Sequence, residues 1–110
     1  MDKVTFQDFS KIDIRVGTIT AAEVFVEAIK PAYKLRIDFG ELGILNSSAQ
    51  ITHRYSEDEL LDKQVIAVVN FPKKQIANFM SECLVLGAVN EKDVILISTE
   101  DTAMNGLRIH

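Results

Sequence analysis

Strict alternation between Tyr33 and Phe39 constrains this chain more than any other stretch. Leu35, Ile37 and Phe39 fall on one side, and Lys34, Arg36 and Asp38 fall on the other. Only an extended strand puts successive side chains on opposite faces, so the pattern specifies a strand with one buried and one solvated face. Comparable runs surround it. Ile12–Phe25 is a long β segment, with Ile12, Ile14, Val16 and Thr18 on one face, Asp13, Arg15 and Gly17 on the other, and a bulge or sharp coil expected at Gly17. Ile44–Ile51 is a third strand carrying the polar run Asn46, Ser47, Ser48. Lys63–Asn70 and Cys83–Val89 are the fourth and fifth, and Val94–Thr99 is a sixth, after a turn over Asn90–Asp93.

Helix signals are few and local. Thr5 and Asp8 have capping-box spacing, with Val4 and Phe9 placed as a hydrophobic staple. Ser56 and Glu59 form a second capping box, between the third and fourth strands. Short strands, frequent turn signals and one small helix at that position predict an all-β fold: a five-stranded OB-fold barrel with short helices. At 110 residues the chain is expected to be a single domain spanning 1–110. The sixth strand and Thr102–His110, with an Asn105-Gly106 turn, exceed the barrel, and their apolar residues need a cover such as a dimer interface. No apolar run approaches the roughly 20 residues of a membrane-spanning helix, and MDKVTFQDFS has no apolar signal core. A cytoplasmic location is the expectation.

The single cysteine, Cys83, precludes a disulfide or a thiolate metal cluster and reads as a buried, inert thiol. His53 and His110 lack ligand spacing, and His53 reads as a surface residue. Glu57, Asp58 and Glu59 sit in the first turn of a capped helix, where acids suit the dipole. No Walker loop and no GxSxG is present. The expected protein is non-enzymatic and needs no cofactor or metal.

A binding surface is better supported. From Lys63 to Ser81 there are three lysines and no acid, in a chain of net charge -4. That island lies between two apolar runs and contains Asn70, Phe71, Pro72, Lys73, Lys74, Asn78, Phe79 and Ser81. The outer face of strands one to three of an OB barrel can form a nucleic-acid groove. Alternation offers Arg15, Lys34 and Arg36 to it, and Ser47, Ser48 and Gln50 can donate and accept hydrogen bonds. Phe71 and Phe79 read either as stacking platforms or as core at the barrel end. The acidic total argues against broad, nonspecific nucleic-acid binding.

The motifs FSKIDIRVGTI, KLRIDFG, SSAQIT, VIAVVNFPKKQIANFMSECLVLG and the later NG resemble the CsaA family, small members of the tRNA-binding-domain superfamily. The resemblance runs nearly end to end. It implies an OB-fold homodimer with N- and C-terminal extensions helping the subunits associate. It also implies two activities: tRNA binding, and chaperone-like binding of unfolded or exported preproteins, with a tRNA-binding protein acting in trans as the alternative. Polar positions matching the family are Arg15, Lys34, Ser48, Gln50, Asn70, Lys74 and Ser81. Lys73 joins the tRNA-binding set for its charge and place. Phe39, Phe71 and Phe79 carry over to a peptide pocket. Two features depart from related tRNA-binding domains: Asn78 stands where glycine is common, and Cys83-Leu84 replaces Gly-Met after Ser81-Glu82. Asparagine tolerates left-handed backbone geometry, and Cys83-Leu84 fits the CsaA branch.

Overall fold

A computed structural model describes residues 1–110. Strands β1 (Ile14–Val24), β2 (Tyr33–Asp38), β3 (Ile44–Ala49), β4 (Gln64–Val68) and β7 (Leu84–Val85) form one antiparallel sheet in the order β3-β2-β1-β4-β7. The sheet curls into a nearly closed barrel, so the expected all-β five-stranded architecture holds. Leu35, Ile37 and Phe39 are fully buried, as their alternation requires, and they pack with Ile19, Leu60, Val65 and Ala67. Short helices α1 (Phe6–Ser10) and α2 (Glu57–Leu60) both begin at the expected capping boxes, Thr5 with Asp8 and Ser56 with Glu59.

The bend in β1 lies elsewhere than expected. Its register with β2 shifts between Ile19 and Ala21; Ile14–Thr18 pair with β4, and Thr18–Val24 pair with β2. Gly17 is no bulge. It faces the barrel interior, where a β-carbon would stand 2.6 Å from Ile37 Cγ2. The interior face of β1 is therefore the one carrying Gly17 and Ile19, opposite to the face of Val16. Val16 is buried all the same.

Where β2 ends, the C-terminal segment takes its place beside β1. Gly106 N–H donates to Val16 O (2.8 Å), Val16 N–H to Leu107 O (3.0 Å) and Ile109 N–H to Ile14 O (2.8 Å). Gly106 adopts φ 94°, and a β-carbon there would lie 2.6 Å from Phe39 O, so this close approach needs glycine. The Gln64 side chain clamps the same segment, donating to Ala103 O (2.7 Å) and accepting from Ala103 N–H (2.9 Å).

The barrel closes between β3 and the chain before β7. Glu82 N–H donates to Asn46 O (2.8 Å), and the buried Ser47 hydroxyl donates to Cys83 O (2.9 Å). The basic insert is a β-hairpin, not a plain loop: β5 (Lys74–Ile76) pairs with β6 (Phe79–Ser81). Its left-handed residue is Ala77, at φ 50°, not Asn78. The expected fifth strand is divided. Leu84–Val85 continues the barrel, and the chain then turns into β8 (Gly87–Asn90), which pairs with β9 (Asp93–Leu96) in a separate hairpin. Two hydrogen bonds from Arg54 to Asp93, each 2.7 Å, fasten that hairpin to the barrel, and Leu96 N–H adds one to the Tyr55 hydroxyl.

Candidate nucleic-acid interface

The register of β1, β2 and β3 builds one polar surface outside the barrel. Lys34 stands opposite Ser48 on one side and Glu23 on the other; Arg36 stands opposite Asn46 and Ala21. The β5–β6 hairpin borders this surface and, with it, bounds a groove of about 500 Å³ containing Lys34, Arg36, Asn46, Phe79 and Glu82. The hairpin is tied in place twice. Ser48 N–H donates to Ser81 Oγ (3.2 Å), and Asn46 N–H donates to the Glu82 carboxylate (2.9 Å). Across the hairpin Lys74 faces Ser81, and Lys73 reaches Glu82 at 3.5 Å.

Lys34 is the most constrained cation in the groove. Its ammonium lies 5.1 Å from the centroid of the Phe25 ring and 5.8 Å from that of Phe79, and the two rings meet edge to face at 5.4 Å. Glu23 and Glu27 lie 3.9 and 3.8 Å away. These distances are long for ion pairs, so the carboxylates balance the charge without saturating its donors. An incoming phosphate would find an ammonium already oriented by aromatic faces.

Lys34 and Phe79 thus line this groove, Lys73 reaches it through Glu82, Lys74 and Ser81 lie on the hairpin beside it, and Ser48 lines the larger groove across the seam. Arg15 and Asn70 are not among them. Arg15 lies on the interior-facing side of β1 at the barrel end, where it binds the Asp13 carboxylate with two nitrogens and donates to Gly106 O (2.9 Å). Asn70 spends its amide on the same corner, accepting from Asp13 N–H (2.9 Å) and donating to Lys11 O (2.7 Å). The hydrogen bonds from Arg15 hold the Asp13 carboxyl below the usual carboxylate range against the opposing effect of burial, with the charges of Arg15 and Arg108 adding to the shift. This corner joins the segments before and after the barrel to its wall.

Other candidates lie apart from this groove. Gln50 lines a separate groove of about 910 Å³, with Ile51, Leu84, Val85 and Val89. Phe39 is fully buried in the barrel core and cannot line a peptide pocket without opening the fold. Phe71 is half exposed, whereas Phe79 leans on Phe25, so the three phenylalanines form no common pocket. Asn46 and Glu82 are groove residues that sequence reasoning missed. The alternation that marked Arg36 also marks Asn46, its cross-strand neighbour, but nothing local marks Glu82, whose role arises from barrel closure. Cys83 is buried among apolar side chains, which pushes its thiol up to about 12, and His53 is exposed.

This arrangement has close counterparts. A family model described as "Putative tRNA binding domain" matches residues 14–108. Methionine–tRNA ligase of Methanococcoides burtonii is 34% identical, over 99% of this chain and 16% of that protein. The ligase of Bdellovibrio bacteriovorus is 33% identical, over 97% of this chain and 16% of that protein. The chain therefore spans about one sixth of the length of these ligases. Among solved structures, chaperone CsaA from Bacillus anthracis is 50% identical with a TM-score of 0.95, covering 99% of this chain and 100% of that one. The CsaA chaperone protein from Picrophilus torridus is 57% identical with a TM-score of 0.92, covering 98% and 100%. On these matches and this groove, the chain belongs to the tRNA-binding-domain family and, within it, to the CsaA group.

Proposed function

We propose that this chain is a non-enzymatic binding protein whose principal ligand is structured RNA of the tRNA class, held in the groove between the β2–β3 face and the β5–β6 hairpin. One observation carries the reading: Lys34 and Arg36 line a groove that also offers the Phe79 ring and the Asn46 side chain, with Lys73 paired to Glu82 at its wall and Lys74 on the bordering hairpin. Cations that follow a phosphate backbone, beside an aromatic face and amide or hydroxyl groups, suit RNA read by shape and backbone. The acids in the groove limit affinity and make it selective against nonspecific polyanions. The direct test is a tRNA titration at several salt concentrations. Binding that weakens steeply with salt supports the reading, and an affinity indifferent to salt sinks it.

A second activity, chaperone-like binding of unfolded or exported polypeptides, is favoured by the whole-length likeness to two CsaA chaperone structures. It is also favoured by exposed apolar side chains outside the RNA groove, including Leu84, Val89, Ile95 and Ile97. Suppression of aggregation of a denatured client is its assay. We further place the protein in the cytoplasm as a homodimer, with the segments on either side of the barrel at the subunit contact. Exposed Val4, Phe6, Met104 and Leu107 support that arrangement, and sedimentation would check it.

A further inference from the structure

We infer that an extended polypeptide, apolar with interspersed acidic residues, binds by adding a strand to the free edge of β8. The inference rests on the chaperone reading above. The Asn90–Asp93 turn leaves Glu91 and Lys92 as its central residues, so Asn90 and Asp93 form a hydrogen-bonded pair and the pairs then alternate. Ala88 bonds inward to β9, while the N–H and C=O groups of Gly87 and Val89 point away from it. Two bonds elsewhere fix this parity: Ile97 N–H donates to Leu86 O (3.2 Å), and Leu96 N–H turns outward to the Tyr55 hydroxyl (3.0 Å).

The outward edge of β8 opens on the larger groove, about 910 Å³ in volume, whose opposite wall is the chain from Ser48 to His53. On that wall the alternation of β3 turns Asn46 and Ser48 toward the barrel seam, where they bond Glu82 and Ser81. Gln50, next in that series, has no backbone partner. The seam is thus filled as far as Ser48 and empty beyond it. An extended segment laid there meets backbone donors and acceptors at Gly87 and Val89 on one side and at Gln50 on the other. Such main-chain pairing gives affinity without demanding one sequence.

Side chains set the class of segment. Leu84 is 47% exposed and Val89 71% exposed on the groove, and both suit apolar partners. Lys30, Lys92 and His53 also line it, against a single acid, Glu91. The groove therefore favours acidic residues at the alternate positions. A bare edge beside apolar side chains is unusual in soluble proteins, which normally cover or charge such edges.

The test uses the intact protein and a labelled peptide of alternating valine and glutamate. Val89→Pro deletes the outward N–H and leaves the β8–β9 ladder intact, because Val89 makes no ladder bond. Loss of that bond should weaken the peptide about threefold to tenfold, while Val89→Thr retains most of the affinity and tRNA binding is unchanged. In the same assay an N-methylated peptide, unable to donate along one edge, should bind the wild-type protein more weakly. Equal binding of methylated and plain peptides overturns strand addition but leaves the chaperone reading standing. Failure of the wild-type protein to bind the peptide while it still protects a denatured client overturns the site alone; failure in both assays removes the chaperone reading as well. If Val89→Pro instead dissociates an oligomer and the peptide does not compete with that oligomer, the edge belongs to a second copy of the chain and the inference falls.

Discussion

Gly17 and Phe39 share one space at the end of the barrel: a β-carbon on Gly17 would lie 2.7 Å from Cε1 of the Phe39 ring. The ring lies over the strand because the strand has no side chain there. Its carbonyl oxygen in turn lies 2.6 Å from where a β-carbon of Gly106 would be. One phenylalanine therefore links β1, the end of β2 and the C-terminal segment. Gly17→Ala should cost about 1–3 kcal/mol by overpacking, with φ remaining ordinary. Urea unfolding would measure this, and an unchanged midpoint would mean that the ring moves freely.

The barrel seam is the second place where one side chain replaces regular pairing. Ser47 is buried, and its hydroxyl supplies the hydrogen bond to Cys83 O. Ser47→Ala leaves that carbonyl without a donor, and the expected loss of stability is about 1–3 kcal/mol. Hydrogen exchange should accelerate at Glu82, whose N–H bonds Asn46 O beside the lost contact. Faster exchange throughout the barrel, with no excess at the seam, would contradict this local role.

Asn70 and Lys34 both match the tRNA-binding pattern, but Asn70 fastens the Asp13 corner, whereas Lys34 lies in the groove proposed for RNA. Asn70→Ala removes the bonds to Asp13 N–H and Lys11 O and should lower stability by about 0.5–1.5 kcal/mol while leaving tRNA affinity intact. Lys34→Gln should do the reverse, with little effect on folding, weaker RNA binding and a log–log salt slope reduced by about one. A salt slope that changes with Asn70 and not with Lys34 would reverse this assignment.

These contrasts mark how far the sequence could be read. Alternation from Tyr33 to Phe39 identified β2 and both of its faces, because a strand with one buried face encodes its register in every residue. The capping boxes at Thr5 and Ser56 located both helices, because their partners are three residues apart. Face assignment failed at β1. There both faces of the first half are covered, one by the barrel core and one outside it, so apolar alternation no longer distinguishes inside from outside. Glu82 and the Asp13–Arg15 corner were illegible for a related reason. Glu82 and Asn46 are 36 residues apart, and Arg15 and Gly106 are 91 apart. That Arg15 and Asn70 fasten two segments was equally hidden, because such a polar side chain has the same composition as one that awaits a partner.

The Asp13 corner predicts acid sensitivity. Its carboxyl is held below the ordinary range by hydrogen bonds from Arg15. A lowered folded-state value contributes stability above the unfolded value of about 3.9 and loses it as pH falls through the folded value. Asp93, hydrogen-bonded by Arg54, and Glu59, hydrogen-bonded by Ser56, shift in the same direction. Asp13→Asn should therefore be less stable at neutral pH and show a shallower, not absent, loss of stability below about pH 4. Thermal melts across that range would check it, and identical acid limbs in the two proteins would refute the linkage.

Cys83 predicts sensitivity at the other end of the scale. Burial pushes its thiol up to about 12, against the weaker lowering effect of its hydrogen bond with Ser47. In the unfolded chain the thiol ionises near about 8.5. Between those values the unfolded state binds fewer protons than the folded one, so stability falls as pH rises from about 8.5 toward 12. Tyr33, raised chiefly by burial, acts in the same direction at higher pH. Cys83→Ala should flatten the alkaline limb, after a loss at neutral pH for the missing contact with Asn46 O. The same burial makes the native thiol unreactive, so at about pH 8 a thiol reagent should modify wild-type protein only as fast as the seam opens. Ser47→Ala, which weakens that seam, should speed the modification by about tenfold for each 1.4 kcal/mol of seam stability lost. Immediate labelling of the folded wild-type protein would show that the thiol is not enclosed.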